Sequence, residues 1–333
     1  MKFSINNKPI NEQIGPYIIA EIGINHDGDF DKAIRLIEAA AAAGADAVKF
    51  QTYQTPKLVS SGSEYFELLR SFELTAKQYE TLFKHAQDHK IDAFSACFDE
   101  ASAAMWNDFD TPAFKIASGD ITHHRLLQIL ASYNKPLILS TGASSIQDIS
   151  EALDCMQRVN PNVQVALLHC VSKYPTPPSE ANLECMKTLG AFGRVVGFSD
   201  HTEGLTVPLA AVARGVLLIE KHFTLNKADD GPDHKLSADP AEMAELVRLS
   251  KIIVSSIGTG KKELVECEAT QTAIRRSIIL TKPIAAGQII KEDMVETTRP
   301  ALGVSSAKYA DIVGKQARHD FESGFYIQPS DVL

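Results

Sequence analysis

Tyr17-Ile18-Ile19-Ala20-Glu21-Ile22-Gly23 is an apolar run broken by a single acidic residue near its end. A run this continuous suits a strand buried on both faces, which is the condition of a parallel sheet covered by helices. The same pattern returns at Ala45–Gln51, Ile91–Ala96, Pro112–Ser118, Pro136–Thr141, Val163–Cys170, Arg194–Ser199 and Val216–His222. Between the runs lie helical segments such as Asp31–Ala43, with Asp31 as expected N-cap and Gly44 as stop, and Ala76–His89. Eight strands alternating with helices predict an α/β fold, a (β/α)8 TIM barrel of about 250 residues. The alternative, a doubly wound open sheet, carries a glycine-rich first loop, and none follows Gly23.

The helical pattern ends with Glu242–Ile257, so the barrel domain is expected over residues 1–257. A polar stretch follows, giving a linker at 258–273. Residues 274–333 change character to short strands and glycine turns, a small β-rich domain. Within it, Ala286-Gly287-Gln288-Ile289-Ile290 before Asp293 is echoed by Ser323-Gly324-Phe325-Tyr326-Ile327 before Asp331.

The 333-residue chain carries 33 Lys+Arg against 42 Asp+Glu, a formal net charge of −9, which disfavours a nucleic-acid backbone as partner. No segment reaches the ~20 apolar residues of a membrane helix. Residues 1–10 lack the apolar core of a secretion signal. The five cysteines, Cys97, Cys155, Cys170, Cys185 and Cys267, are odd in number and widely spaced. They read as reduced thiols, and a cytoplasmic protein is expected.

In a barrel of this kind the active site lies at the C-terminal ends of the strands. Those ends carry Glu21, Lys49 with Gln51, Lys115 with Ser118, Ser140, His169 followed by Ser172 and Tyr174, Ser199 with His201, and Glu220 with His222. Alternation at period two puts Lys49 and Gln51 on one face, as it does Ser199 with His201 and Glu220 with His222. His201 and His222 end neighbouring strands about 4.8 Å apart, close enough for two imidazoles to share Mn2+, Fe2+ or Zn2+. Barrel closure brings Glu21 beside them. Lys49 and Lys115, with hydroxyls from Ser118, Ser140 and Ser199, form a cradle for a phosphate or carboxylate, where the chain would be locally positive. A rival reading makes one lysine a Schiff-base nucleophile. Lys221 is the weakest choice for that role, because it alternates outward. Three residues also have bland readings. Tyr174 could pack its Pro-rich loop, Asp233 could form a turn in Gly231-Pro232-Asp233-His234-Lys235, and Arg299 could be a solvated side chain.

Taken together these motifs resemble a known family. The matching stretches are Ile19–His26, Gly44–Gln51, Phe114–Gly119, Leu139–Gly142, Leu168–Cys170, Tyr174–Pro177, Ser199–Thr202, Ile219–Thr224 and Gly231–His234, followed by Arg299-Pro300 and Ile312–Lys315. The chain is similar over nearly its whole length to the sialic acid synthases, the phosphoenolpyruvate-dependent N-acetylneuraminate synthase family with its legionaminate and pseudaminate relatives. The last 60 residues look like the antifreeze-like (SAF) domain of those enzymes. The resemblance implies condensation of phosphoenolpyruvate with N-acetylmannosamine, through a tetrahedral intermediate that loses phosphate by C–O cleavage. It implies that His201 and His222 bind Mn2+, or another divalent ion such as Mg2+ or Co2+, which polarises the sugar aldehyde. Lys49, Lys115, Ser118, Ser140 and Ser199 would hold phosphoenolpyruvate, with Ser172 nearby. Glu21, Gln51, Tyr174 and Asp233 would contact the sugar or move protons, so Glu21, Lys49 and Lys115 are the candidate catalytic residues. Arg299 would reach the sugar site of a partner in a domain-swapped homodimer.

Three positions depart from the family pattern. Ala96 stands where a hydroxyl near phosphoenolpyruvate is usual, Ser172 where Asn is common, and Asp120 where Glu is usual. Ser95 is a candidate to compensate for Ala96. The rival functions are a Schiff-base pyruvate aldolase, a diacetylated-hexose synthase of the legionaminate or pseudaminate type, and a catalytically silent sugar-binding protein.

Overall fold

The computed structural model describes residues 3–12 and 14–333; Met1 and Lys2, the start of the stretch read above for a signal, lie outside the described residues. The chain divides into two units, Met1–Gly258 and Thr259–Leu333.

The first unit is a closed barrel of eight parallel strands. These are β1 (Tyr17–Gly23), β2 (Ala47–Thr52), β3 (Asp92–Cys97), β4 (Phe114–Ile116), β5 (Leu137–Ser140), β6 (Val165–His169), β7 (Val195–Asp200) and β8 (Leu218–His222). Strand β8 pairs with β1 in the register His222↔Glu21, which completes the barrel. Eight helices alternate with them: α1 (Phe30–Ala42), α2 (Ala76–Asp88), α3 (Glu100–Asp108), α4 (His124–Ser132), α5 (Ile146–Val159), α6 (Cys185–Gly190), α7 (Thr206–Ala213) and α8 (Pro240–Ile257). Two short helices, Thr55–Leu58 and Phe66–Ser71, are inserted between β2 and α2.

Every residue of β1 is buried, as the continuous apolar run requires. The two faces of each strand have separate duties. Outward side chains such as Ile18, Ala20, Ile22, Val48 and Phe50 pack under the helices. Inward ones such as Tyr17, Ile19, Ala47, Phe94, Ile138, Leu168 and Leu218 fill the lower barrel, and Phe3, Ile5 and Ile10 plug it from below. The inward face of the strands therefore runs from apolar at the bottom to polar at the top. Gly197 is needed inside: a Cβ there would lie 2.4 Å from Leu168 Cδ2 and 2.7 Å from the Leu218 oxygen. The plug is a hairpin, Ser4–Ile5 paired with Lys8–Pro9, turned by Asn6 and Asn7 at φ 49° and 60°. Asn tolerates these left-handed angles, and a two-residue turn of this kind matches strand twist.

The helix starts are fixed by side chains. Ser145 and Asp239 form reciprocal capping boxes at α5 and α8. At α1 the expected cap moves by two residues. Asp29, not Asp31, adopts the extended cap geometry and accepts from the Asp31 and Lys32 amides, leaving Asp31 inside the first turn. Gly44 lies just beyond the last turn at φ +83°, as a stop should. Among the described residues, no helix is long and apolar enough to cross a membrane.

The second unit has its own core of Ile278, Leu280, Ile284, Ile290, Val295, Ile312, Ala317, Phe321 and Ile327. Its regular β structure is modest: β9 (Ser277–Leu280) pairs antiparallel with β10 (Val295–Thr298), and isolated bridges do the rest. The sequence echo is visible in the backbone. Gly287 and Gly324 turn at φ +80° and +86°, and each is followed by a 3-10 turn, Glu292–Met294 and Pro329–Asp331.

Candidate functional site at the strand ends

A cavity of about 230 Å3 opens at the C-terminal rim of the barrel. Its walls include Glu21, Lys49, Gln51, Lys115, Ser118, Ser140, Ser172, Tyr174, Ser199, His201 and His222, so eleven of the thirteen expected residues converge there. Asp233 sits behind His222, with Oδ2 3.5 Å from its Nδ1. Arg299 is exposed on the second unit, where its backbone oxygen accepts from the Tyr326 hydroxyl.

The electrostatics differ from the locally positive pocket expected above. Lys49 Nζ lies 3.0 Å from Glu21 Oε2 and 3.3 Å from Glu220 Oε2, and Lys115 Nζ lies 3.8 Å from Glu220 Oε1. Two buried ammoniums thus face two buried carboxylates. Glu220 also accepts from Ser199 Oγ at 2.8 Å. Burial alone would raise the Glu220 carboxyl, but Lys115 and Lys49 outweigh it and hold the group below the usual carboxylate range. Burial lowers Lys115, with Glu220 only partly compensating, whereas Glu21 and Glu220 together overcome burial at Lys49 and raise it. The two lysines are therefore not equivalent: Lys49 is the more firmly charged. Lys115 donates to Ser140 Oγ at 2.7 Å and to the Ile116 oxygen at 3.1 Å. Glu220 was legible as an inward strand-end residue, yet its role as shared counter-ion depends on distances that no motif states.

A third wall is made of small polar groups around Gly142. A Cβ there would meet Ser172 Oγ at 2.3 Å, Cys170 Sγ at 2.8 Å and Ser118 Oγ at 2.9 Å, so only glycine fits. Gly142 donates its amide to Ser118 Oγ at 3.0 Å, and Cys170 Sγ lies 3.1 Å from the same oxygen. Ala96 is part of the wall, and its missing hydroxyl is not replaced by Ser95. Ser95 is fully buried, donates to the Phe50 oxygen at 3.0 Å and lies 2.7 Å from Thr52 Oγ1, on the opposite face of β3. Asp120 is part of a 3-10 turn, Ser118–Asp120, and burial pushes its carboxyl up to about 6.

His201 and His222 stand with ring centroids 5.6 Å apart, and Tyr174 stacks on His201 at 4.1 Å. His201 Nδ1 lies 2.7 Å from the Val171 carbonyl oxygen, which can only accept. The proton is therefore on Nδ1, and Nε2 presents its lone pair. Burial, and then His222, push His201 down to about 3, so the ring is neutral. His222 Nδ1 is buried without a hydrogen-bond partner. His201 Nε2, with Ser199 Oγ at 3.5 Å, and the neighbouring His222 imidazole, which faces Asp233, suit a divalent ion of the borderline class. Glu21 is not beside them in the sense expected. Although its Cα pairs with that of His222, the carboxylate turns to Lys49 and accepts from Gln51 Nε2 at 3.0 Å. Among the described residues, no group of three mutually close donors contains either histidine, so any further ligands would come from water or substrate.

The rim loops are buckled together. Asn25 Nδ2 donates to the Phe223 oxygen and to Ser237 Oγ, both at 2.9 Å. His234, fully buried, lies between Thr224 Oγ1 at 2.7 Å and the Asp27 carboxylate at 3.2 Å. Lys32 Nζ bridges Asp27 and Asp229 at 2.6 Å each. These contacts tie the loop after β1 to the loop after β8, which carries Asp233. Outside the barrel wall, Lys221 is buried against Asp200 at 2.7 Å, in keeping with its outward alternation.

Fold and site together define a (β/α)8-barrel enzyme with an ionic cavity at its C-terminal rim. The chain belongs to the NeuB family, the sialic acid synthase family, whose profile matches residues 36–262, and the SAF domain matches residues 275–333. It is 38% identical to an N,N'-diacetyllegionaminic acid synthase of Campylobacter jejuni, over 92% of this chain and 96% of that protein. It is 33% identical to the N-acetylneuraminate-9-phosphate synthase of Mus musculus, over 84% of this chain and 82% of that protein. A crystal structure of an N-acetylneuraminic acid synthetase from Leptospira borgpetersenii, in complex with citrate, superposes with a TM-score of 0.77 at 34% identity, covering 81% of this chain and 95% of the other. The family's enzymes are phosphoenolpyruvate-dependent nonulosonic acid synthases, and the chain is an enzyme of that class.

Proposed function

We propose that this enzyme condenses phosphoenolpyruvate with the open-chain aldehyde of N-acetylmannosamine and water, giving N-acetylneuraminate and inorganic phosphate. The single observation that carries the reading is the cavity in which two lysines, three serine hydroxyls and the Gly142 cradle meet the His201–His222 pair. Lys49, Lys115, Ser118, Ser140 and Ser199 are assigned to the phosphate and carboxylate of phosphoenolpyruvate. Gln51, Ser172, Tyr174 and Asp233 are assigned to the sugar side. Glu21, tethered by Lys49 and Gln51, is within the same wall to hold or move a proton at the sugar hydroxyls.

The lysine charges are already matched by Glu21 and Glu220. A polyanionic substrate therefore gains little net attraction from them, and hydrogen-bond geometry and a cation at His201 and His222 must supply the rest. When bound, Mn2+ or a similar divalent ion supplies Lewis acidity toward the aldehyde oxygen. The protein's part is to keep the His201 imidazole neutral by burial and to orient it through Val171. Arg299 and a second copy of the chain are assigned to completion of the sugar site, which light scattering on wild type and R299A activity test.

The greater identity to the legionaminic acid synthase favours a second reading, with a 2,4-diacetamido hexose in place of N-acetylmannosamine. Phosphate release measured with phosphoenolpyruvate and N-acetylmannosamine, the legionaminate precursor or the pseudaminate precursor separates the sugars. No release with any of the three overturns the synthase reading, and borohydride trapping of a lysine–pyruvate adduct replaces it with an aldolase.

A further inference from the structure

Two histidines occupy positions 85 and 89 in the last turn and cap of α2, four residues apart and so on one face of the helix. His89 Nδ1 lies 2.9 Å from the His85 carbonyl oxygen. A carbonyl only accepts, so Nδ1 carries the proton and Nε2 is bare. The two rings stand with centroids 4.3 Å apart. From α1, Glu38 reaches across to place Oε1 3.2 Å from His85 Nε2. One ligand atom from each of the three lies within 4.8 Å of the other two.

The second line of argument is the state of His89. A metal-ligating histidine characteristically donates its other ring N–H to a carbonyl or carboxylate, which fixes the tautomer and raises ligand basicity. His89 has that bond already. The negative end of the α2 dipole also favours a cation there. The other three-donor group, Asp27, Asp229 and His234, differs because the Lys32 ammonium already fills it. Among the described residues no ammonium is paired with Glu38, His85 or His89, and Glu38 and His85 remain 48% and 24% exposed in their side chains.

We propose that Glu38, His85 and His89 form a divalent transition-metal site that clamps α1 to α2 on the outer wall of the barrel. Two imidazoles and one carboxylate suit the borderline ions Zn2+, Ni2+ and Cu2+, with water completing the shell. Hard Mg2+ and Ca2+, which take oxygen ligands, are excluded by the two nitrogens. Barrel helices run opposite to the strands, so the C-terminal turns of α1 and α2 lie toward the end away from the cavity. The site is thus independent of His201, His222 and the proposed reaction.

The test is calorimetric titration of chelator-stripped full-length protein with zinc chloride, with thermal unfolding measured in parallel. Wild type takes up one zinc per chain more than His89→Gln or Glu38→Gln, and its zinc-induced rise in unfolding temperature is larger. An H201Q/H222Q variant keeps this zinc. If that variant does not fold, the H89Q comparison decides alone, because His89 is exposed and its circular dichroism reports an intact barrel. Equal stoichiometry and equal thermal shift in wild type, H89Q and E38Q overturn the proposal. Synthase activity assayed with manganese is the same in wild type and H89Q.

Discussion

Ala96→Ser restores a hydroxyl to the cavity wall, and its effect follows from the neighbours. Ala96 is paired in register with Gln51 on β2 and with Lys115 on β4, so the new oxygen lies between the residues proposed for the sugar and for the anion. Ser95 cannot already be doing this work, since its hydroxyl is committed to Phe50 and Thr52. Lys115 spends two of its three protons on Ser140 and the Ile116 oxygen, leaving one to orient the added hydroxyl toward an anion. A hydrogen bond to a charged group contributes about 1.5–3 kcal/mol, and each 1.4 kcal/mol is tenfold in affinity. Fixing a hydroxyl rotor costs roughly 0.5 kcal/mol, which leaves about 1.0–2.5 kcal/mol, or about five- to sixtyfold. The dissociation constant of phosphoenolpyruvate, titrated without sugar in the presence of manganese, falls by that factor in A96S. Ala96→Val, which fills the same space without a donor, shows no gain. An A96S constant within twofold of wild type, or an equal gain in A96V, refutes the placement of the anion beside β3.

Other consequences can be measured with single substitutions. Lys49→Met or Lys115→Met is expected to lower kcat/KM for phosphate release by about two orders of magnitude, from the loss of a charged hydrogen bond worth ~3 kcal/mol. Lys32→Met leaves Asp27 and Asp229 facing each other at the rim. It is expected to cost roughly 1–3 kcal/mol in urea unfolding, between an exposed and a buried pair, with D27N in the same chain recovering part. His26 is fully buried, and burial pushes it from 6.5 to about 4 against the opposing pull of Asp27. The unfolded chain therefore binds a proton that the folded chain refuses. Stability is complete above pH 6.5 and is lost as pH falls toward 4, a loss of about 3 kcal/mol from this group. Unfolding free energies at pH 7 and pH 4.5 differ less in His26→Gln than in wild type.

The barrel was legible because parallel strands buried on both faces leave long apolar runs, and because the active rim of such a barrel forces polar residues to the run ends. Tyr17–Gly23 appears in the structure with the boundaries read from sequence. Features set by local backbone choice were not legible. Asp27, Asp29 and Asp31 are all acceptable caps by residue type, and only the extended angles at Asp29 select it. The Ser4–Pro9 hairpin has strands too short to show a period. The short helices between β2 and α2 likewise carry too few residues for one.

The site shows a subtler limit. Strand alternation assigns each side chain to a face, and on that basis Glu21 belonged with the histidines and the lysines stood as free cations. Alternation says nothing about which partner a carboxylate chooses once inside. In a buried cavity that choice is set by the cost of leaving an ammonium unpaired, which exceeds the gain from any single ligand contact. Glu21 therefore goes to Lys49, and Glu220 is drawn between both lysines. The lysines of the cavity are balanced by carboxylates that must share them with an incoming anion. The histidine pair has no lysine partner; His222 Nδ1 faces only the Asp233 carboxylate, at 3.5 Å. Removing Glu220 charge in Glu220→Gln should accordingly tighten anion binding while lowering turnover, because Lys115 and Lys49 would then hold the anion without a competing counter-ion to release it. Looser binding of phosphoenolpyruvate in E220Q would show instead that the carboxylate serves chiefly to keep the two lysines in place.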